Sequence, residues 1–314
     1  MSVPPRASSL GLTFAGLTLA LAACGGGDTG GGEPAQDPAG GDAGASRDIT
    51  VAGVGFMTPE SVLHDVAADV YLVSNINGMP LDEDGNGFIS RLSPEGDLLE
   101  LKWIDGAAEG VTLNAPKGMA IQDGLLYVTD IDCIRAFDLA SGEPADEVCV
   151  DGATFLNDLV SHPDRGVIFT DMGRNASFEP TGTDAVYHLS GDRYATIVAD
   201  PDLGGPNGVA IRGDDLVMVT YFGGGVFTVT EDTATPWFPA MEGAQLDGVE
   251  ALEDGRLLVS DWGARCVHVI DEEGTARCLV DDVDGPADIG IDRGRNRVLI
   301  PLFNADEVWI RPIR

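Results

Sequence analysis

LDGVEALEDGRLLVSDWG, residues Leu246 to Gly263, is the template for the rest of this chain. An apolar run that starts at Val249 is followed by the turn sequence Glu-Asp-Gly, and a second run, LLVS, ends at Asp261. Glycine suits a tight turn because it adopts a positive φ without steric cost. The stretch therefore predicts two short strands that are joined by a hairpin.

The same pattern occurs six times along the chain. Its copies begin at Pro59, Pro116, Leu156, Pro206, Leu246 and Pro286. The second residues of successive copies are separated by 57, 40, 50, 40 and 40 residues. A period near 40 residues is typical of β-propeller blades, because one four-stranded sheet cannot bury its faces alone. The sequence predicts an all-β, six-bladed β-propeller with four antiparallel strands per blade.

The last copy has too few residues for a fourth strand. Its strands are predicted at Asp288–Asp292, Arg297–Ile300 and Asp306–Ile310. The segment Ile49–Val54, ITVAGV, precedes the first copy and has no other place in the pattern. We expect it to supply the outer strand of blade six, so that no long strand edge stays open. The propeller then spans residues 47–314 as one domain.

The first 46 residues are typical of an export and anchoring segment. A single charge, Arg6, precedes an apolar run from Leu10 to Ala22, which is too short for a stable membrane span and stops just before Cys24. This favours a lipoprotein signal peptide over residues 1–23 and lipidation of Cys24; the alternative is an ordinary signal peptide with an incidental cysteine. Residues 24–46 predict a flexible Gly/Pro/Asp-rich tether. We expect an exported, membrane-anchored lipoprotein of the bacterial cell envelope.

The chain is strongly acidic. It contains 52 Asp and Glu residues and 18 Lys and Arg residues, for a formal net charge of −34. Removing residues 1–23 takes away only Arg6, which leaves 17 basic residues and a charge of −35. Such a field disfavours nucleic acid and anionic membrane surfaces and attracts divalent cations, although it is also an ordinary solubility feature. We expect a monomer that binds a small-molecule substrate or ligand and does not bind nucleic acid. We expect it to contact the membrane only through its lipid anchor.

Four cysteines lie in the propeller segment. Cys133 and Cys149 flank one predicted turn, and Cys266 and Cys278 flank another. Each pair is equidistant from its turn, so its members should lie opposite each other on the third and fourth strands of a blade. Four cysteines allow three pairings, and in an oxidising compartment this geometry favours Cys133–Cys149 and Cys266–Cys278. Zinc binding is less favoured, because the C-x-x-C spacing is absent.

The second residue of each copy lies at the start of the innermost strand. All inner strands of a propeller begin around one axial opening, so these residues should meet there. They are Glu60, Lys117, Asn157, Asn207, Asp247 and Ala287, called the ring residues below. Two carboxylates and two amides offer four hard oxygen donors with a charge of −2, which suits calcium better than zinc or copper.

On these residues the whole folded chain resembles the six-bladed calcium-dependent hydrolases that include the senescence marker protein/gluconolactonase family, the paraoxonases and diisopropyl fluorophosphatase. The resemblance implies a catalytic Ca²⁺ or other divalent ion, with Glu60 in TPESV, Asn157 in FLNDL, Asn207 in GPNGV and Asp247 in LDGVE as its ligands. It also implies hydrolysis of lactones or related esters, in which Asp247 accepts a proton from water or attacks directly. The alternative is that Asn-Gly and Asp-Gly are ordinary turn residues, although no glycine follows Glu60 or Asn157.

Lys117 departs from this resemblance, because paraoxonases have a histidine at the second-blade position. The chain contains only two lysines, Lys102 and Lys117. Burial and a neighbouring cation lower a lysine pKa toward that of a general base, so we assign Lys117 a catalytic role beside Asp247. The alternatives are that it turns to solvent, pairs with Asp130 or Asp158, or replaces the ion in a metal-free binding protein.

Other polar residues recur at fixed places in the repeat. The residues Asn75, Asp130, Asp171 and Asp261 end second strands. We expect them to hold loops by hydrogen bonds. Asp158 and Asp288 lie one residue further along the inner strand than the ring and suggest a second, deeper cation site.

The segment Asn75–Phe88 enlarges the connection between the second and third strands of blade one. Asp82, Asp84 and Asn86 match the opening half of a calcium loop, but the twelfth position is Ser93 instead of glutamate. This favours a decorated hairpin over a second calcium site.

Two functions of different class remain open. The first is a calcium-dependent lactonase or esterase of the cell envelope. The second is a non-catalytic propeller lipoprotein that binds a ligand or a partner protein on its top face. The chain has no nucleophile elbow, phosphate loop or dinucleotide fingerprint that indicates other chemistry.

Overall fold

The computed structural model describes residues 47–314. The predicted signal peptide (1–23) and the predicted lipidated Cys24 and tether (24–46) lie outside the described residues. Over the described range every regular element is a β-strand. In that part of the chain we find no helix with the length and hydrophobicity to span a bilayer.

The 24 strands form six four-stranded antiparallel sheets. The chain begins with β1 (Ile49–Val51). Blade one contains β2 (Pro59–Asp65), β3 (Val70–Asn75), β4 (Phe88–Leu92) and β5 (Leu98–Asp105). Blade two contains β6 (Pro116–Gln122), β7 (Leu125–Asp130), β8 (Cys133–Asp138) and β9 (Pro144–Cys149). Blade three contains β10 (Leu156–His162), β11 (Gly166–Asp171), β12 (Ala185–Ser190) and β13 (Arg193–Ala199).

The remaining blades have the same order of strands. Blade four contains β14 (Pro206–Arg212), β15 (Asp215–Thr220), β16 (Val226–Thr230) and β17 (Thr233–Phe238). Blade five contains β18 (Leu246–Ala251), β19 (Leu257–Asp261), β20 (Cys266–Ile270) and β21 (Ala276–Val280). Blade six contains β22 (Gly290–Asp292), β23 (Arg297–Leu302), β24 (Glu307–Pro312) and β1. The predicted all-β, six-bladed architecture is confirmed.

β1 is the outer strand of blade six. It pairs antiparallel with β24, with Ile49 opposite Ile310 and Val51 opposite Val308. The strand has three residues, whereas the pattern ITVAGV suggested six. It stops early because the chain bends at Gly53, which has a φ of 66°.

The hydrophobic core is divided among the junctions between blades. Six main apolar clusters each combine residues from two neighbouring blades. At the junction of blades six and one, Tyr71 and Val73 pack with Val308 and Ile310. Burial contributes about 25 cal/mol for each Å² of apolar surface, so each blade is stabilised by its neighbours.

Each inner strand contains one extra residue at the same place in the repeat. The pairing shifts between Pro59 and Val62 in β2, and between the equivalent residues of β6, β10, β14 and β18. Blade six also has one extra residue on its inner side, between the Pro286–Leu302 bridge and the Gly290–Leu299 pair. A β-bulge re-aims the side chains beside it. The ring residues lie within these bulges, which the hydrophobic pattern did not reveal.

Both disulfides form as predicted, in blades two and five. Cys133 lies directly opposite Cys149 in the register of β8 and β9. The expected register is wrong for the second pair: β20 shifts against β21, so Cys278 lies opposite His268 and not opposite Cys266. The Cα atoms of Cys266 and Cys278 are still 6.0 Å apart, within reach of a disulfide.

The residues that end second strands hold the loops that lead into the inner strands, as predicted. Their side-chain oxygens accept backbone amides in the pairs Asp130 with Ala115 (2.8 Å), Asp171 with Phe155 (3.0 Å), Asp261 with Gln245 (3.0 Å) and Asn75 with Met57 (3.0 Å). In blades two, three and five the bonded amide belongs to the residue two positions before a ring residue. These bonds therefore fix the backbone that delivers the ring side chains.

Candidate active site

The six ring residues line one cavity of about 210 Å³ at the propeller axis, called the axial cavity here. None of them is more than 5% exposed. Residues that are 227 positions apart, from Glu60 to Ala287, thus meet in one place. This is the convergence that the repeat predicted.

One oxygen of each predicted ligand has no partner. Among the residues that the structure describes, these four buried atoms accept no hydrogen bond and are called the axial oxygens: Glu60 Oε2, Asn157 Oδ1, Asn207 Oδ1 and Asp247 Oδ1. A buried polar atom without a partner costs about 1–3 kcal/mol, so native proteins rarely leave several together. A hard cation satisfies such oxygens, and the donor set therefore fits a divalent ion such as calcium.

The pKa shifts of the two ring carboxylates also favour a cation at this site. Burial raises the pKa of Glu60 well above its usual range, and the charge of Asp247 raises it further. Burial likewise raises the pKa of Asp247, followed by the charge of Asp288. Two buried carboxylates resist ionisation unless a cation compensates them.

Two neutral groups approach Asp247 without replacing such a cation. Trp262 and Asn207 each lower the pKa of Asp247, because their N–H groups face it. Neither Trp262 Nε1 nor Asn207 Nδ2 reaches hydrogen-bonding geometry with any group in residues 47–314. A misaligned donor compensates little of a buried charge. Asp247 Oδ1 therefore has no hydrogen-bond partner within residues 47–314.

Hydroxyl groups from neighbouring blades fix the backbone of three ring residues. Thr129 Oγ1 of blade two donates to the carbonyl of Asn157 in blade three. Thr170 Oγ1 of blade three donates to the carbonyl of Asn207 over 2.7 Å, and Ser260 Oγ of blade five donates to the carbonyl of Ala287 over 2.8 Å. Supporting bonds of this kind orient metal ligands. We did not predict them from the sequence.

Lys117 lies inside the axial cavity and is only 1% exposed. Its ammonium donates to the carbonyl of Ala115 over 2.9 Å and lies 4.9 Å from the centre of the Phe155 ring. Burial lowers the pKa of Lys117 to about 8, against the opposing charges of Asp130 and Glu60. The alternative in which Lys117 turns to solvent is wrong, because blades one to three enclose it.

The predicted partners of Lys117 have other partners. Asp130 pairs with Arg135, whose Nε lies 3.0 Å from its Oδ2. Asp158 accepts two backbone amides, from Leu159 over 2.6 Å and from Val209 over 2.7 Å. Within the described range Lys117 forms no ion pair shorter than 4.0 Å. Its ammonium is therefore available to the cavity.

The deeper carboxylates, one residue inward from the ring, have internal partners. Asp288 accepts a hydrogen bond of 2.5 Å from the Ser61 hydroxyl, and burial raises its pKa to about 7. Burial also raises the pKa of Asp158 well above its usual range. No oxygen of either residue is among the unpartnered atoms of the described chain. The predicted deeper cation site gains no support from this geometry.

The segment after β3 forms a turn-rich connection, as the decorated-hairpin interpretation requires. Asp84 accepts a hydrogen bond of 2.6 Å from the Asn86 amide. In the described range, no three His, Cys, Asp or Glu side chains gather as metal ligands. The ring falls outside that composition, because half of its four donors are amides.

The walls of the axial cavity contain a second set of repeated residues. The residue directly after the second strand is apolar or aromatic in every blade: Ile76, Ile131, Met172, Tyr221, Trp262 and Phe303. All of these except Ile131 line the cavity, and Ile131 packs with Ile76 beside it. This set was not predicted from the sequence, although aligning the six copies at the ends of their second strands reveals it.

No protein-family model matches the chain, and no curated protein matches it. Solved structures share its fold at low identity. A gluconolactonase from Xanthomonas campestris is 19% identical, with a TM-score of 0.63 over 85% of this chain and 90% of that one. Regucalcin, a calcium-binding protein from Agrobacterium tumefaciens, is 16% identical, with a TM-score of 0.62 over 82% and 90%.

A streptogramin B lyase is also similar, at 13% identity and a TM-score of 0.61 over 84% of this chain and 96% of that one. The three proteins have different names and share this fold. At these identities the likeness establishes the fold alone. Function has to be argued from the axial cavity itself.

Proposed function

We propose that the protein is a divalent-metal-dependent hydrolase of lactones or related esters, with calcium as the preferred ion. The axial oxygens carry this proposal: Glu60, Asn157, Asn207 and Asp247 all line one cavity, and each has one buried oxygen atom without a partner. Their composition suits a hard cation. The gluconolactonase and regucalcin neighbours are compatible with it.

Glu60, Asn157, Asn207 and Asp247 would hold the ion, which would polarise a carbonyl or phosphoryl oxygen as a Lewis acid and lower the pKa of water. In hydrolysis the water oxygen bonds to the carbonyl carbon, the ester C–O bond breaks, and the departing alkoxide takes a proton, which yields a hydroxy acid from a lactone. Asp247 has two carboxylate oxygens, so Oδ2 can accept the proton from water while Oδ1 serves as the ligand. Direct attack by Asp247 on the substrate is the alternative use of Oδ2.

Lys117 is proposed as the second proton-transfer group. Its ammonium faces the cavity and has a pKa of about 8, so both protonation states are accessible near neutral pH. The protonated form can supply the proton that the departing alkoxide needs. The Phe155 ring and the Ala115 carbonyl position the ammonium.

The test is to purify the protein, measure bound metals, and assay lactones and aryl esters with and without a chelator. We expect bound calcium and turnover that the chelator abolishes and calcium restores. Lys117→Met should lower turnover by about 10²-fold or more, with calcium affinity retained. Turnover at the same rate with and without the chelator contradicts the proposal.

A non-catalytic ligand-binding propeller is the second candidate. It is favoured by the composition of the axial cavity, which in the described structure contains no histidine among its lining residues. Bound calcium without turnover on any ester or lactone supports this candidate.

We further propose that the chain is exported and held at the cell envelope by lipid on Cys24. The sequence L-A-A-C after the apolar run supports this, as does the presence of two disulfides in the propeller. Cys24→Ala should move the protein from the detergent phase to the aqueous phase on phase separation. Partition that is unchanged contradicts lipidation.

A further inference from the structure

The walls of the axial cavity differ in chemistry from its ring. Sixteen residues line the cavity, and five of them are the polar ring residues. Tyr221 and Trp262 each add one polar tip to a large apolar surface. The other nine residues are apolar: Ile76, Gly78, Met79, Pro80, Phe155, Met172, Phe178, Ala287 and Phe303.

The aromatic residues of the wall contact one another. The Trp262 ring centre lies 5.2 Å from that of Phe303 and 6.1 Å from that of Tyr221, both in edge-to-face geometry. Phe155 and Phe178 pair on the other side, with ring centres 6.0 Å apart. Aromatic pairs of this kind hold their rings in place, so the wall is a preformed apolar surface.

Phe178 lines the cavity in a backbone conformation that bulky residues disfavour. It is 42% exposed, and its backbone has a φ of 58°, where glycine is favoured over a bulky residue. The turn is closed by its own amide, which donates to the carbonyl of Asn175 over 2.8 Å. Phe178 therefore offers an exposed aromatic ring to a ligand in the cavity.

These observations decide between two classes of substrate. A polyhydroxylated lactone needs a partner for each hydroxyl that it buries, and the wall provides only the tips of Tyr221 and Trp262. A hydroxyl that is buried without a partner weakens binding. An aromatic or alkyl-substituted ring gains by covering the same surface.

We infer that the site takes small apolar lactones or esters with an aromatic or alkyl group, and not sugar lactones. This inference rests on the proposed function, because it concerns the same cavity. The carbonyl group faces the polar ring, and the apolar portion lies between Trp262, Phe303 and Phe178. The volume of about 210 Å³ restricts the ligand to one or two fused rings.

The test uses lactams, which keep the shape of lactones but resist hydrolysis, so binding is measured apart from turnover. The full-length protein with calcium is titrated calorimetrically with 3,4-dihydro-2(1H)-quinolinone, a bicyclic aromatic lactam, and with D-glucono-δ-lactam. We expect the quinolinone to bind at least about tenfold more tightly. Equal or tighter binding of the sugar lactam overturns the inference, and so does the failure of both to bind.

Two matched variants locate the selectivity. Phe178 lines the cavity and is 42% exposed, whereas Phe222 is 43% exposed and lies outside the lining. Phe178→Ser should weaken quinolinone binding about tenfold, and Phe222→Ser should not. Calcium affinity, measured in the same samples, should be unchanged in both and shows that the fold is retained. Unchanged quinolinone binding in Phe178→Ser overturns the inference.

The outcomes also separate this inference from the proposed function. Selective quinolinone binding without hydrolysis of the corresponding lactone, dihydrocoumarin, supports the ligand class and contradicts the hydrolase. Chelator-sensitive hydrolysis of gluconolactone in preference to dihydrocoumarin supports the hydrolase and overturns the ligand class.

Discussion

Two neighbouring layers of the propeller axis both contain buried carboxylates. The two layers differ in the groups that compensate these carboxylates. In the ring layer, Glu60 and Asp247 each keep an oxygen without a partner in the described chain. One residue inward, Asp158 accepts two backbone amides and Asp288 accepts the Ser61 hydroxyl. Burial raises the pKa in both layers. This difference supports the proposal that a cation binds in the ring layer and not in the deeper layer.

The sharpest way to break this comparison is to replace one carboxylate in each layer by its amide. Asp247→Asn should lower chelator-sensitive turnover by about 10²–10³-fold, because it removes an ion ligand and the proton acceptor together. Asp158→Asn should leave calcium binding intact but destabilise the protein by about 1–3 kcal/mol, since one amide hydrogen then faces a backbone donor. Turnover and chemical denaturation are measured on both variants.

The metal-free forms give the control for this pair. Asp247→Asn should be at least as stable as the wild type in chelator, because it removes an uncompensated buried charge. If Asp247→Asn and Asp158→Asn destabilise the metal-free protein equally, the two layers do not differ as we describe.

Calcium itself should stabilise the wild type. At a calcium concentration 100 times the Kd, binding adds about 2.7 kcal/mol to the free energy of unfolding. The change is measured as the shift of Tm between chelator and calcium. The same shift should persist in Asp158→Asn and vanish in Asp247→Asn; a shift in both, or in neither, removes the distinction between the layers.

A smaller effect should follow from the hydroxyls behind the ring. Thr170 donates to the Asn207 carbonyl, whereas the equally buried Thr220 accepts the amide of Gly225 over 3.2 Å. Thr170→Val should weaken calcium binding by about tenfold, because it releases a ligand backbone. Thr220→Val should cost a similar stability, about 1 kcal/mol, without changing calcium affinity. Equal calcium affinities in the two variants would show that ligand positioning is not the role of Thr170.

The pH dependence tests the same comparison without a substitution. The folded-state pKa values of Glu60 and Asp247 are raised by burial, so the metal-free protein loses stability as pH rises through them. Bound calcium compensates these charges, and the calcium-induced stabilisation should therefore grow with pH by up to about 1.4 kcal/mol per unit for each proton released. Calcium titrations between pH 5 and pH 8, values chosen to span the titration of raised carboxyl groups, measure the trend. A stabilisation that falls with rising pH contradicts it.

The sequence predicted those features that each repeat encodes locally. Hairpins such as Leu246–Asp261, the position of Asp247 in its copy, and the loop-holding role of Asp261 all depend on residues within one blade. The aromatic wall was equally local, and Trp262 could have been recognised from its place after Asp261. Aligning the copies only at their first residues hid it.

Two kinds of feature could not be predicted, namely contacts between blades and shifts of strand register within a blade. The amide of Val209 that satisfies Asp158 comes from the next blade, 51 positions away. The shift between β20 and β21, which moves Cys266 out of register with Cys278, depends on local backbone geometry that no residue in the pattern marks. The extra residue in each inner strand also adds no recognisable sequence signal.

The extra residue has a consequence for how this scaffold can change. The backbone directs the second residue of every repeat toward the axis. The orientation of that side chain therefore does not depend on which amino acid occupies the position. Glutamate, lysine, asparagine, aspartate and alanine all occupy that position while the strands pair in the same way. Reactivity at the axis is therefore a modular property, and substitutions there can exchange one chemistry for another without altering the packing that holds the blades together.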